Sequence, residues 1–143
     1  MLNSPLTERS SSIKMNIGQA AKLSGLTVKT VRYYANIGLI MPLQDNQTGY
    51  RSFSEDDVAK LQFIGKARRF DFSINECREL LSLYQDKNRP SSEVKALTLE
   101  KIAQIDSKLD ELTRLRDQLS HLANHCQGDG RPECPILDAL SRS

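Results

Sequence analysis

From Ser91 to Asn124 the chain runs 34 residues without a glycine or a proline. Apolar residues recur there at Val94, Leu97, Ile102, Ile105, Leu109, Leu112, Leu115, Leu119 and Leu122. From Ile102 onward the steps are mostly three or four residues, the spacing of a coiled-coil stripe. At about 1.5 Å per residue the helix is roughly 50 Å long. A chain of 143 residues is too short to bury one narrow stripe of that length against itself. The stripe therefore calls for a partner helix, and a second copy is the simplest partner. The pattern predicts a homodimer joined through about residues 92–123. A long helix packed on its own domain is the competing reading.

The residues before this helix change in character. Ile17, Ala20, Ala21 and Leu23 mark a short helix with one apolar face, and Gly25 ends it. Thr27 is placed to cap a second helix, Val28 to Asn36. Two short helices about a tight turn make a helix-turn-helix candidate. Lys29, Arg32 and Tyr33 or Tyr34 can supply its polar side, with Val28, Val31 and Leu39 as apolar anchors. Gly38 and Pro42 stop the second helix, and Leu43 to Phe53 reads as a hairpin turning at Asp45–Gly49. Tyr50 and Arg51 on its returning strand could press on a phosphate backbone as a wing. Ser54 with Asp57, and then Ser73, start two further helices; Ile74, Cys77, Leu80, Leu81 and Tyr84 form the inner side of the last one.

Charge supports this division. The whole chain carries only +2, too little to imply nucleic acid. Residues 15–70 hold eight Lys/Arg against four Asp/Glu, a local net of +4. No run of 18 apolar residues occurs, so no membrane span is expected. The first 14 residues, rich in serine, read as a disordered arm or a start-site extension, not a signal peptide.

Past the long helix come Cys126 and Cys134, separated by seven residues rich in Gly and Pro. A third cysteine, Cys77, leaves the number odd, so a complete disulfide framework within one chain is excluded. A reducing cytoplasm suits such a chain, and there paired cysteines lean towards metal or redox roles. Thiolates are soft ligands that favour copper(I), zinc or iron–sulfur centres. Two sulfurs in a tight loop suit a low-coordinate monovalent ion. His121 and His125 lie close by in sequence, so the ligand inventory leaves zinc open. Pro135 to Leu140 reads as a short amphipathic helix able to fold back over the loop.

These stretches together resemble the MerR family of transcriptional regulators, in particular its copper-efflux (CueR-type) branch. The resemblance rests on Met15-Asn16-Ile17-Gly18, Leu26 to Tyr34, Asn36 to Leu39, Gly49-Tyr50-Arg51, Ser91 to Lys101 and Cys126 to Ile136. Ala35 departs from it, because many relatives carry Glu after the tyrosine pair. The N-terminal extension departs too, and makes Met15 a candidate natural start. The resemblance implies a mainly α fold with a winged helix-turn-helix domain at 15–85, a linker and dimerisation helix at 86–124 forming an antiparallel coiled coil, and a metal-binding loop with a short helix at 125–143. It implies that Arg32, Tyr34, Tyr50 and Arg51 contact DNA, with Lys29 assisting, and that Cys126 and Cys134 hold the metal. Members of the family bind promoter DNA as dimers and reach RNA polymerase through the shared DNA. The metal-bound form distorts a long promoter spacer, at a deformation energy of about 1–6 kcal/mol or more.

The resemblance also bears on the metal. Divalent sensors of the family are known for a cysteine at the start of the dimer helix, where this chain reads Pro90-Ser91-Ser92. Copper(I), one per loop, with silver(I) or gold(I) as mimics, is the expected ion; zinc or another divalent ion is the alternative. An iron–sulfur sensor would need four clustered cysteines, and the chain has three. A thiol oxidoreductase would more commonly show Cys-x-x-Cys in a βαβ setting. A purely structural coiled-coil adaptor would leave the wing and the basic helix without a role. No enzymatic activity is expected.

Overall fold

The computed structural model describes residues 13–130 and 132–142. The disordered arm expected at the N-terminus lies outside the described residues, except for Ile13 and Lys14. The chain divides into two compact units, one ending at Val94 and the other beginning at Lys95.

The first unit is a helical core with a small hairpin. Helix α1 spans Ile17–Ser24 and α2 spans Val28–Asn36. Strands β1 (Leu43–Gln44) and β2 (Arg51–Ser52) pair antiparallel, with Leu43 opposite Ser52 and Gln44 opposite Arg51. Helices α3 (Glu55–Arg69) and α4 (Ile74–Gln85) complete the unit. Three of these helices begin with reciprocal capping: Asn16 with Gln19, Ser54 with Asp57, and Ser73 with Glu76. Each pair satisfies two N–H groups that the first turn would otherwise leave orphaned. Asp at the third position of α3 serves as the usual Glu would, through a bond of 3.0 Å from the Ser54 N–H. Acidic residues open α3 and Lys66, Arg68 and Arg69 close it, matching the helix dipole at both ends.

The turn between α1 and α2 depends on Gly25. Its φ of 75° lies in the left-handed region, where a side chain would be strained, and its N–H closes the end of α1 on Ala21 and Lys22. Ala20, Ala21, Val31, Leu39, Ile40, Phe53, Leu61, Ile64 and Cys77 then meet in one core. Gly65 lets α3 approach the turn closely, because a β-carbon there would lie 3.3 Å from Leu26 Cδ2. The hairpin is tied to this core by a bridge between Met15 and Phe53, whose backbone groups exchange two hydrogen bonds of 2.8 Å. That third segment, which supports strands of only two residues each, was not among the sequence expectations.

Three apolar positions differ from the sequence reading. Val28 and Leu23 are exposed, because the inner face of a short helix spans only the residues three or four apart that point at its neighbours. Tyr84 is exposed as well, and its ring stacks on Phe63 with centroids 4.9 Å apart. It covers the rim of the α3–α4 contact and stays out of the core.

The second unit is built on α5, Ser91–Asn124, followed by a loop and by α6, Pro135–Ser141. Helix α5 keeps the predicted boundaries. Along it Leu109, Leu112, Leu115 and Leu119 are all exposed, and Leu112 retains 61% of its surface. A row of large apolar side chains left in water is the pattern of an unfilled interface.

Candidate nucleic-acid interface and thiol loop

Helix α2 presents its functional groups because its first turn is capped from outside. Thr27 Oγ1 accepts a bond of 3.1 Å from the Thr30 N–H. Lys29 and Arg32, three apart, then share the exposed face. Val31 and Tyr34, also three apart, share the buried face. Tyr34 is only 6% exposed, so its ring is spent on the core. The exposed aromatic of the pair is Tyr33, at 52%. The Tyr33 and Tyr34 centroids lie 6.0 Å apart.

The hairpin delivers the other groups. Asp45 Oδ1 accepts from the N–H groups of Gln47, at 2.7 Å, and Thr48, at 3.2 Å, forming an Asx turn. Gly49 follows with a φ of 76°, and Gln44 Nε2 donates to its carbonyl at 3.0 Å. Tyr50 leaves this turn 78% exposed. Arg51, on β2, donates from Nη2 to Asn36 Oδ1 at 2.8 Å. This bond links the wing to the last residue of α2 and limits the arginine's rotamers. Asn36 was noticed in the sequence only as part of a motif, and its role appears once the hairpin folds back beside α2. Arg78 is a second such residue. From α4 it reaches the carbonyls of Gly38 and Ile37, at 3.3 and 3.4 Å, and braces the turn after α2.

Arg32, Tyr50 and Arg51 line one cavity of about 490 Å³ together with Asn16, Ile17 and Gly49. Two guanidinium groups and a phenol on one concave surface suit a phosphate backbone: Arg binds phosphate in a planar, bidentate manner, and the tyrosine hydroxyl adds a donor. Lys29 is exposed and outside this lining.

The thiols belong to the second unit. Helix α5 ends at Asn124, and the Cys126 N–H donates to the Ala123 carbonyl at 3.2 Å. Gly128, with a φ of 69°, bends the loop. Cys134 occupies the N-cap position of α6, and Pro135 takes the first helical position, where its missing N–H costs nothing. Both thiols are free and partly buried. No capping hydrogen bond of regular geometry forms at Cys134. Its pKa is nevertheless lowered, chiefly by the Leu137 N–H, with Ile136 and the Cys126 thiol acting the same way against partial burial and the Asp138 charge. Backbone N–H groups at the start of a helix favour the thiolate, which is the metal-binding form. The Cys126 thiol acts on Cys134 as a neighbouring hydrogen-bonding group in the folded loop.

The histidines do not join them. Among the described residues, no group of three or more His, Cys, Asp or Glu converges in a way that could hold a metal. The third thiol, Cys77, is wholly buried in the first unit and points its sulfur at the Phe72 carbonyl, 3.9 Å away. It is a core residue, as its helical position predicts. No helix among the described residues is long and apolar enough to cross a membrane.

Comparison with known proteins places these features. Residues 15–83 match the family described as MerR HTH family regulatory protein, and residues 58–122 match that described as MerR, DNA binding. The transcriptional regulator HmrR of Rhizobium leguminosarum is 50% identical over 127 residues, covering 89% of this chain and 98% of its own. The regulator CueR of Salmonella typhimurium is 42% identical, covering 89% and 92%. Among solved structures, a transcription regulator from Ralstonia metallidurans in complex with lead(II) superposes with a TM-score of 0.73 at 33% identity, covering 89% of this chain and 99% of that one. The capped helix-turn-helix, the wing and the long helix are thus those of a known group, and the chain belongs to the MerR family of helix-turn-helix transcriptional regulators.

Proposed function

We propose that the chain is a copper(I)-responsive activator. In this reading it binds promoter DNA as a homodimer and switches on metal-efflux or detoxification genes by distorting the promoter. The observation that carries the metal assignment is the isolated thiol pair. Cys126 and Cys134 come together without a third His, Cys, Asp or Glu among the described residues. Structural zinc sites usually take four ligands, whereas two thiolates suit a soft monovalent ion. Relatives named as heavy metal-dependent transcription regulators support a metal effector.

In this reading Cys126 and Cys134 hold the ion. Bound copper(I) supplies a bond to each thiolate and so favours the closed loop. Cys126 is fixed by the end of α5 and Cys134 by the start of α6, so closing the loop ties these two helices. Residues 15–85 act as the DNA-binding domain, 86–124 as linker and dimer helix, and 125–143 as the sensor. The dimer form favoured by the closed loop must be preferred by an energy comparable to the promoter deformation, about 1–6 kcal/mol. RNA polymerase is engaged through the shared DNA.

The test is competition of copper(I) against zinc(II) for the thiol pair of the full chain, with promoter transcription read in parallel. Copper(I) is expected to win and to activate, with silver(I) or gold(I) as mimics. Activation by zinc(II) or lead(II) at lower free concentration would move the assignment to a divalent sensor.

On the DNA side, Arg32, Tyr50 and Arg51 make the backbone contacts, with Lys29 assisting and Tyr33 replacing Tyr34 as the outward aromatic. Arg32→Ala and Arg51→Ala are each expected to weaken binding and to reduce its salt slope by about one unit per lost phosphate contact. Asn36→Ala should reproduce part of the Arg51→Ala loss with the slope kept, because the charge stays and only its orientation is freed. Parent-like binding of both arginine variants across several salt concentrations would place the interface elsewhere.

A further inference from the structure

We propose that His121 and His125 form a chelating site for a divalent ion such as zinc(II), separate from the thiol pair. The two residues stand four apart at the end of α5, one turn of helix, and both are exposed. Their rings lie together, with centroids 4.2 Å apart and planes tilted by 44°. His125 Nδ1 is 2.7 Å from the His121 carbonyl oxygen. A carbonyl oxygen has no proton to give, so Nδ1 carries the hydrogen, and in the neutral ring Nε2 is the nitrogen left to bind a metal. A backbone carbonyl that fixes the tautomer and the ring plane is the same support that metal-binding histidines usually have.

The distances suit chelation. Zinc–nitrogen bonds of about 2.0–2.1 Å at a tetrahedral angle span nitrogens roughly 3.3 Å apart. Rings already in contact reach this with a small turn of the exposed His121 side chain. A cleft of about 480 Å³ lies beside His121, lined also by Asp117, Gln118, Leu122 and Ala139. Imidazole suits zinc(II) and nickel(II), whereas copper(I) prefers the thiolates. Since no three ligating groups converge among the described residues, the imidazole pair and the thiol pair are two sites. An ion on the pair spans the last turn of α5 and holds it helical immediately before Cys126.

The chain contains two histidines, so its imidazole proton spectrum reports the site directly. The experiment adds zinc(II) to the full chain carrying Cys126→Ser and Cys134→Ser, which removes the thiol pair. Both imidazoles are expected to shift together and to saturate at one ion per chain. His121→Ala or His125→Ala in the same background should weaken zinc(II) binding at least tenfold and leave the remaining ring unmoved. In the chain with its thiols intact, His121→Ala should still bind copper(I) as the parent does, which separates the two sites. Unchanged zinc(II) affinity in the histidine variants, or a shift of one ring only, would overturn the proposal.

Discussion

Cys126→Ser and Cys134→Ser are expected to bind promoter DNA as the parent does and to lose copper(I)-dependent transcription almost completely. The thiol loop belongs to the second unit and Arg32, Tyr50 and Arg51 to the first, so the substitutions leave the DNA face intact. Each removes half of a two-sulfur set, and no group of three or more His, Cys, Asp or Glu among the described residues offers a replacement. The hydroxyl oxygen of serine is a harder and far weaker ligand for a soft ion than a thiolate. Cys134→Ser also loses the thiolate that the Leu137 and Ile136 N–H groups favour. Cys77→Ser is the matched control. Its sulfur faces the Phe72 carbonyl in the core, and a serine hydroxyl can donate to the same oxygen, so the copper response should persist. Transcription in vitro beside DNA-binding titrations decides the matter. Full activation of either loop variant, or loss of the response in Cys77→Ser alone, would displace the sensor from the loop.

Ile105→Glu combined with Leu112→Glu should leave a monomer that no longer binds DNA tightly. In the free chain Leu112 is 61% exposed and Ile105 half-buried, so neither supports the core of the first unit. In a dimer each substitution occurs twice. Burying one such side chain contributes about 1.5–3 kcal/mol, so four positions remove roughly 6–12 kcal/mol before any cost of burying the new carboxylates. A typical dimer does not survive a loss of that size. Two half-sites bound by unlinked monomers also lose the effective concentration that the dimer confers. Sedimentation reads the assembly state and circular dichroism checks the remaining helices. A dimer of unchanged stability would show that the exposed stripe is not the interface.

Local chemistry made much of this architecture readable in advance. The absence of Gly and Pro from Ser91 to Asn124 determined one uninterrupted helix, because helix propagation fails chiefly at those residues. Ser54 and Ser73 determined where α3 and α4 begin, through bonds that span three residues. The Asp45–Gly49 turn was legible for the same reason, since Asp45 and Gly49 act on their immediate neighbours. Cys126 and Cys134 stood out because they are two thiols in one short segment directly after the long helix.

Tertiary structure decided what periodicity leaves open. The sequence allowed either tyrosine of the pair to face outward, and packing beside Val31 put Tyr34 in the core and Tyr33 at the surface. The orientation of Arg51 required Asn36, 15 residues earlier, and the brace from Arg78 spans 40 residues to Gly38. The bridge from Met15 to Phe53 joins positions 38 residues apart by number, which no local pattern could signal. The lowered pKa of Cys134 arose only once α6 turned its Leu137 and Ile136 N–H groups towards the sulfur. The sequence by itself determined elements whose signals lie within a turn or two of the residue concerned. Contacts between distant segments depend on which surfaces the folded chain brings together, and only the tertiary structure decided those.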